Sequence, residues 1–301
     1  VQAALRGRQF AGLVILGGYD VVPSARMDVL TPELRAAVGR FPDPDNFIVW
    51  SDALFGDLDG DTFAELPVSR IPDGRSAELF TAALQSATGT EPNKLCVHNV
   101  KRPFAKAVFK LIKGQGKALS SQPARTAEAR AEQSQMQGSL YLMLHGSDSD
   151  GSAFWGEEED QMVEAFDVSC LPATGTGIVF TGACWGALTV TRKAGAQDPA
   201  RPPQSKAADQ SIALTALRAG YRAFIGCTGS HYSPLGAQPN SAGGPMHQYF
   251  WDRIRAGGAP AQALFAAKST YAADLPNGGD PVAQAIAHKI LRQFTCLGLG
   301  W

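Results

Sequence analysis

The sequence predicts an α/β fold: a mostly parallel sheet flanked by helices on both faces, with a smaller N-terminal α/β subdomain. Three observations predict it. Short apolar runs recur along the chain and are continuous rather than alternating, the pattern of strands covered on both faces. Helical stretches fall between them, and strands that alternate with helices imply parallel pairing. A polar stretch carrying Gly89 and Pro92, SATGTEPNK at 86–94, then divides a small α/β unit of residues 1–88 from a larger one of 95–301.

Taken in order, LVIL (13–16) is a core strand that runs into the turn GGYD, and FIVW (47–50) is a second strand. A helix is expected at 76–87, then the strand LCV (95–97) and helices at 103–113 and 124–135. LYLML (140–144) is the next strand. Glu157, Glu158, Glu159 and Asp160 follow it and read as the acidic start of a helix over 158–167, where carboxylates meet the positive end of the helix dipole. GIVF (177–180) and FIG (224–226) are strands around a helix at 207–219, and helices at 245–256 and 260–273 come next. The loop 191–209, TRKAGAQDPARPPQSKAAD, is long, basic and proline-rich, and is expected to be exposed, mobile and open to cutting. No internal repeat is found.

Composition narrows the function. The chain has 301 residues, 45% hydrophobic and 18% charged, enough for real cores. A formal net charge of −1 without a basic run argues against nucleic acid and anionic membranes as partners. No apolar run reaches the ~18 residues of a membrane span. FAGLVIL (10–16) reads as a core strand rather than a signal segment. A chain starting at Val1 reads as a fragment or processed form, part of a larger polypeptide or regulatory complex. The five cysteines, Cys96, Cys170, Cys184, Cys227 and Cys296, are scattered and form no CxxC pair. They read as buried thiols in a reducing, cytoplasmic compartment.

Two strand ends carry chemistry. YLMLHG (141–146) ends a core strand on His145-Gly146, and GIVFTGACWG (177–186) runs a strand into Gly182-Ala183-Cys184. In an open parallel sheet, ligands bind beyond the carboxyl ends of the strands. If the two strands are neighbours, a thiol and an imidazole share one crevice, the arrangement of an activated nucleophile. Each residue alone reads as an ordinary buried thiol or a satisfied histidine; the pair is the signal.

LMLHG followed by FTGAC resembles the His-Gly and Ala-Cys dyad signature of caspase-like cysteine peptidases, and the ordered series of segments is most similar to the gingipain family. VILGGYDVVPS (14–24), SDALFGDLDGDTFAELPVSRIP (51–72), HGSDSDGSAFWG (145–156), RAGYRAFIGCTGSHYSP (218–234) and HKILRQFTCLG (288–298) carry that resemblance over most of the chain. It implies a caspase-like sheet and a cysteine endopeptidase acting on protein or peptide substrates, with no cofactor required. His145 would be the general base, Cys184 the nucleophile, and the N–H groups of Gly146 and Cys184 the oxyanion hole. Substrate would lie against Gly182, Gly229, Ser230, His231 and Tyr232, pairing with 228–234 as an added strand. The resemblance does not extend to arginine specificity: between residues 95 and 144 the only carboxylates are Glu128 and Glu132, on an expected solvated helix.

Other features leave alternatives open. Asp57, Asp59 and Asp61, with Glu65 beyond, surround Gly60 in a pattern that suits a structural calcium ion or a plain acidic turn. GACWG also matches the nucleophile elbow of class I glutamine amidotransferases, with His231 or His247 as base, although no His-Pro-Glu follows and His145 is then unexplained. A caspase-like scaffold without activity is the third reading.

Overall fold

The computed structural model describes residues 9–86, 92–275 and 279–301, so residues 87–91 of the expected boundary lie outside the described residues. Twelve strands form among them: β1 (Leu13–Leu16), β2 (Ala25–Asp28), β3 (Ile48–Ser51), β4 (Val68–Ile71), β5 (Asn93–Asn99), β6 (Gln115–Ser121), β7 (Ser139–Met143), β8 (Ala153–Glu158), β9 (Gln161–Asp167), β10 (Ile178–Thr181), β11 (Ala223–Cys227) and β12 (Phe294–Leu297). Eight of them build one sheet in the order β1-β4-β12-β11-β10-β7-β5-β6. The strands β11, β10, β7, β5 and β6 are mutually parallel. So are β1, β4 and β12, and the two blocks meet antiparallel at β11 and β12. Strands from both sides of the expected boundary thus share one sheet.

The continuous apolar runs follow from burial on both faces. Every residue of β7 is buried, and the pleat sends Leu140 and Leu142 to one core, Tyr141 and Met143 to the other. In β10, Val179 faces the first core and Ile178 and Phe180 the second. Helices Ala77–Leu84 and Ile212–Arg218 cover the first face through Leu79, Ile212 and Leu214. Helices Phe104–Phe109, Gly244–Arg255, Pro260–Ala273 and Pro281–Gln293 cover the second. Each such Leu or Phe side chain contributes about 1.5–3 kcal/mol on leaving water, which is why these strands tolerate so few polar residues. Among the described residues no helix is long and apolar enough to cross a membrane.

The structure departs from the sequence reading in several places. FIVW falls on β3, which pairs antiparallel with β2 outside the large sheet. The helix expected at 158–167 is instead the hairpin β8–β9, turning at Glu159 and Asp160 with φ of 48° and 75°. Two consecutive left-handed residues make the tight hairpin turn whose twist matches its strands, and Phe154 and Phe166 anchor it to the first core. The loop 191–209 is tied down rather than loose. Lys193 pairs with Asp148 at 2.7 Å, Arg26 Nε donates to the Ala194 carbonyl at 2.7 Å, and Ser205 Oγ donates to Asp20 at 2.6 Å.

Candidate active site

β7 and β10 are parallel neighbours, with Thr181 opposite Leu142, so the His145 and Cys184 ends emerge side by side. Beyond β7 the His145 backbone is clamped by β8: His145 N donates to the Trp155 carbonyl at 2.8 Å and Trp155 N to the His145 carbonyl at 3.0 Å. Next to it, Gly146 has no room for a side chain. A Cβ there would lie 2.0 Å from the Cys184 carbonyl oxygen and 3.3 Å from Ala183 Cβ. The glycine lets the two strand ends touch. Neither the Gly146 N–H nor the Cys184 N–H donates to an oxygen among the described residues.

The half-buried His145 ring is held at Nε2. Asn99 Nδ2, at the end of β5, lies 2.9 Å from it, and Glu157 Oε1, on β8, lies 3.2 Å away. Asn99 Nδ2 also donates to Glu157 Oε2 at 2.9 Å. Asn99 does not stand out in the sequence, and Glu157 reads there only as part of an acidic helix start; a polar residue ending the strand beside β7 is the available signal for Asn99. Burial pushes the imidazole pKa down, Glu157 opposes it, Arg102 and Lys101 add to the lowering, and the net is below the ordinary histidine range.

Cys184 sits where the chain turns out of β10. Ala183 N donates back to Thr181 Oγ1 at 3.0 Å. Trp185 adopts φ of 53°, uncommon for a bulky residue, and is fixed by its N–H to the Gly229 carbonyl at 2.9 Å and its indole Nε1 to Asp45 Oδ1 at 2.8 Å. The sulfur accepts from His231 N at 3.2 Å. Of the five free cysteines, only Cys184 is not buried. Burial still raises its thiol pKa, the His231 N–H and Lys289 counter part of that, and the net is above the ordinary range. At neutral pH the pair therefore rests as thiol and neutral imidazole.

Beneath the sulfur lies a buried charge cluster that the sequence did not reveal. Lys289 Nζ is 2.6 Å from each of Asp43 Oδ2, Asp45 Oδ2 and Ser230 Oγ, and the Lys289, Asp43 and Asp45 side chains are fully enclosed. Ser230 N donates to Asp45 at 2.6 Å and Tyr232 OH to Asp43 at 2.7 Å. The backbone of 228–234 is also partly engaged. Thr228 N donates to the Gln293 carbonyl, the Gly229 carbonyl is taken by Trp185, and the Tyr232 carbonyl by Gly243 N. Ser230 N and His231 N are engaged as well, while Gly229 N, Tyr232 N and the Ser230 carbonyl bond to no group among the described residues. Gly182 is likewise a packing glycine: a Cβ would meet Met143 Sδ at 2.5 Å and the His247 ring at 2.6 Å.

His231 and His247 turn their rings away from the thiol. His231 Nδ1 lies 3.6 Å from Cys227 Sγ and its Nε2 3.1 Å from His247 Nε2, whose Nδ1 meets Tyr141 OH at 2.8 Å. The contacts of Cys184 Sγ are with the His231 backbone. Burial first, then Arg102 and Lys289, push His231 down to about 3, and burial holds His247 well below its usual value.

In the acidic loop, one oxygen each from Asp57, Asp59, Asp61 and Glu65 lie within 4.8 Å of one another. Oxygens bound across a calcium ion at about 2.3–2.6 Å have that spacing, so the donor set fits the cation. The loop is preshaped by Asp57, which accepts from Gly60 N at 2.6 Å and Thr62 N at 3.0 Å.

The two-block sheet and its flanking helices match the caspase-like fold. Among solved structures the chain is similar to gingipain R, described as an Arg-specific cysteine proteinase, with a TM-score of 0.64 and 11% identity over 99% of this chain and 65% of that one. It is similar also to the complex of the Porphyromonas gingivalis RgpB pro- and mature domains, with a TM-score of 0.59 and 11% identity over 99% of this chain and 66% of that one. The chain thus spans just under two thirds of the length of the gingipain chains it matches. No protein-family model matches it, and no curated protein sequence does.

Proposed function

We propose that this chain is a cysteine endopeptidase that cleaves protein or peptide substrates through Cys184 and His145. The observation that carries the reading is the contact of two parallel strand ends, with the Gly146 backbone packed on the Cys184 carbonyl. Glu157 is ionised, because Asn99, His145 and the nearby Lys101 and Arg102 outweigh the upward push of its burial. A carboxylate only accepts and an amide nitrogen only donates, so the productive form in this reading is the tautomer with the proton on Nε2 toward Glu157, in which the Asn99 amide serves Glu157 and Nδ1 is the basic nitrogen. Nδ1 takes the thiol proton as Cys184 Sγ attacks the scissile carbonyl carbon. The oxyanion that forms is held by the Gly146 and Cys184 N–H groups, an effect worth several kcal/mol when the donors are fixed in advance. The imidazolium, steadied by Glu157, returns the proton to the leaving amine. Water, deprotonated by the same imidazole, then hydrolyses the thioester and regenerates the thiol.

The amidotransferase-like alternative needs the ring of His231 or His247 at the sulfur, and both rings point elsewhere. An inactive scaffold predicts no turnover. Incubating wild type and Cys184→Ala with a mixed peptide library decides the matter: we expect cleavage by the first only, and equal product in both would overturn the reading. The acidic loop is proposed as a structural calcium site formed by Asp57, Asp59, Asp61 and Glu65, bracing the N-terminal subdomain and taking no part in the chemistry.

A further inference from the structure

We infer that the chain binds a short-chain organic carboxylate in a small chamber apart from the candidate dyad, with Lys268 and Arg292 holding the charged head and apolar side chains the tail. The chamber lies between the helices Pro260–Ala273 and Pro281–Gln293 and the end of the acidic loop. A cavity of about 70 Å³ there has Phe63, Ala64, Phe265 and Leu291 in its wall, together with Lys268 and Arg292. A second cavity, of about 30 Å³, shares Ala64, Phe265 and Lys268 with the first and adds Leu66, Val68 and Leu264. Neither cavity is lined by His145 or Cys184.

The two cations are fixed but unanswered. Arg292 is only 8% exposed, yet it forms no ion pair among the described residues. Its Nη1 donates to the Thr62 carbonyl, its Nη2 to Thr62 Oγ1 at 2.9 Å, and the guanidinium lies 4.0 Å from the centre of the Phe63 ring, so neutral groups hold it in place. Burial lowers its pKa, and Asp61 and Asp57 of the acidic loop oppose that without outweighing it. Lys268 makes neither a side-chain hydrogen bond nor an ion pair among the described residues. Burial, then the Arg292 charge, push its ammonium down to about 8, with Asp52 countering part of the fall. Asp52 gives both of its oxygens to Arg70 at 2.8 Å. Covered like charges are costly unless an anion answers them, and the nearest carboxylates are engaged elsewhere. The complement is an anion from solution. A planar carboxylate suits a guanidinium beside an ammonium. Phosphate would set oxygens against Phe265 and Leu291, where no donor meets them. The volume leaves room for a tail of a few carbons and none for a nucleotide or a long acyl chain.

The test is calorimetric titration of the intact chain with butyrate, butyramide and inorganic phosphate. We expect butyrate to bind with a Kd of about a millimolar, within reach of so small a ligand, and to raise the melting temperature by mass action. Butyramide has the same shape without the charge and should bind about 10- to 100-fold more weakly, the usual worth of a charge-assisted hydrogen bond. Phosphate has the charge without the tail and should also bind more weakly than butyrate. Lys268→Met should remove butyrate binding, and Lys268→Arg should keep much of it. If Lys268→Met fails to fold, the wild-type series still decides. The inference is overturned by equal binding of butyrate and butyramide, by phosphate binding as tightly as butyrate, or by undiminished butyrate binding in folded Lys268→Met. Absence of saturable butyrate binding to the wild type overturns it as well. Peptide cleavage enters none of these measurements, so the endopeptidase reading stands or falls separately.

Discussion

Lys289→Met tests whether the buried charge cluster holds the candidate nucleophile in place. Lys289 bonds two carboxylates and Ser230 at 2.6 Å each, out of contact with solvent. Methionine keeps much of the volume and removes the cation, so Asp43 and Asp45 are left facing each other. Deleting one partner of a buried ion pair costs about 3–5 kcal/mol, roughly a 10²- to 10⁴-fold change in the folding equilibrium. That is a large share of the ~5–15 kcal/mol that holds a typical native state. The damage is also local to the site, because Asp45 anchors the Trp185 indole and Ser230 N on the two sides of Cys184.

The pH dependence identifies the cause. In the wild type, burial pushes Asp43 up, but Lys289 overrides it and the net pKa is lowered. Its contribution to stability is therefore present above the unfolded value of about 3.9 and lost as pH falls through the lower folded value. In Lys289→Met the cation that outweighs burial is gone, only the Phe47 N–H and Tyr232 OH bonds still pull Asp43 down, and its folded pKa is expected to rise above the unfolded one. The deficit is then full at neutral pH and shrinks as the carboxylates take up protons. We predict that urea unfolding shows a gap of about 3–5 kcal/mol at pH 7 that narrows toward pH 5, with slower Cys184 alkylation. Adding Asp43→Asn and Asp45→Asn should recover much of the loss. A gap below about 1 kcal/mol, the size of an exposed pair, or one that is independent of pH, would refute this account.

The other predictions concern the chemistry and the loop. Cys184→Ala should abolish peptide hydrolysis and His145→Ala should lower it at least ~100-fold, with melting temperatures near wild type. Activity in His145→Ala together with a dead His231→Ala would instead favour the amidotransferase-like arrangement. Glu157 opposes the lowering of His145, so Glu157→Gln should move the acid limb of the kcat/KM profile to lower pH and reduce its plateau; an unmoved limb would show that the carboxylate is not coupled to the base. Millimolar calcium should raise the melting temperature relative to chelator by mass action, and Asp59→Asn with Asp61→Asn should remove the increment. No shift in the wild type would leave a plain acidic turn.

The large sheet was legible because burial on both faces writes continuous apolar runs, and LVIL, LYLML and GIVF fall on or within one residue of β1, β7 and β10. His145-Gly146 and Cys184 were legible as interruptions at the ends of such runs. The rest was written in weaker signals. β6 is an edge strand with exposed Gln115, Gly116 and Lys117, so no apolar run marks it. The β8–β9 turn uses Glu159 and Asp160 where Asn-Gly would have announced a hairpin, and four consecutive acids look like a helix start. The Asp43–Asp45–Lys289 cluster joins charges more than 240 residues apart. Its one trace in the sequence is Lys289 one helical turn beyond the buried Ala285 and beside Ile290, on a face that otherwise packs inward.

The charges around the proposed dyad set its resting state. A raised thiol and a lowered imidazole make proton transfer from Cys184 to His145 uphill. Arg102 and Lys101 add to the lowering and Glu157 opposes it, so in the proposed chemistry Glu157 is the group that keeps His145 basic enough to act on the thiol.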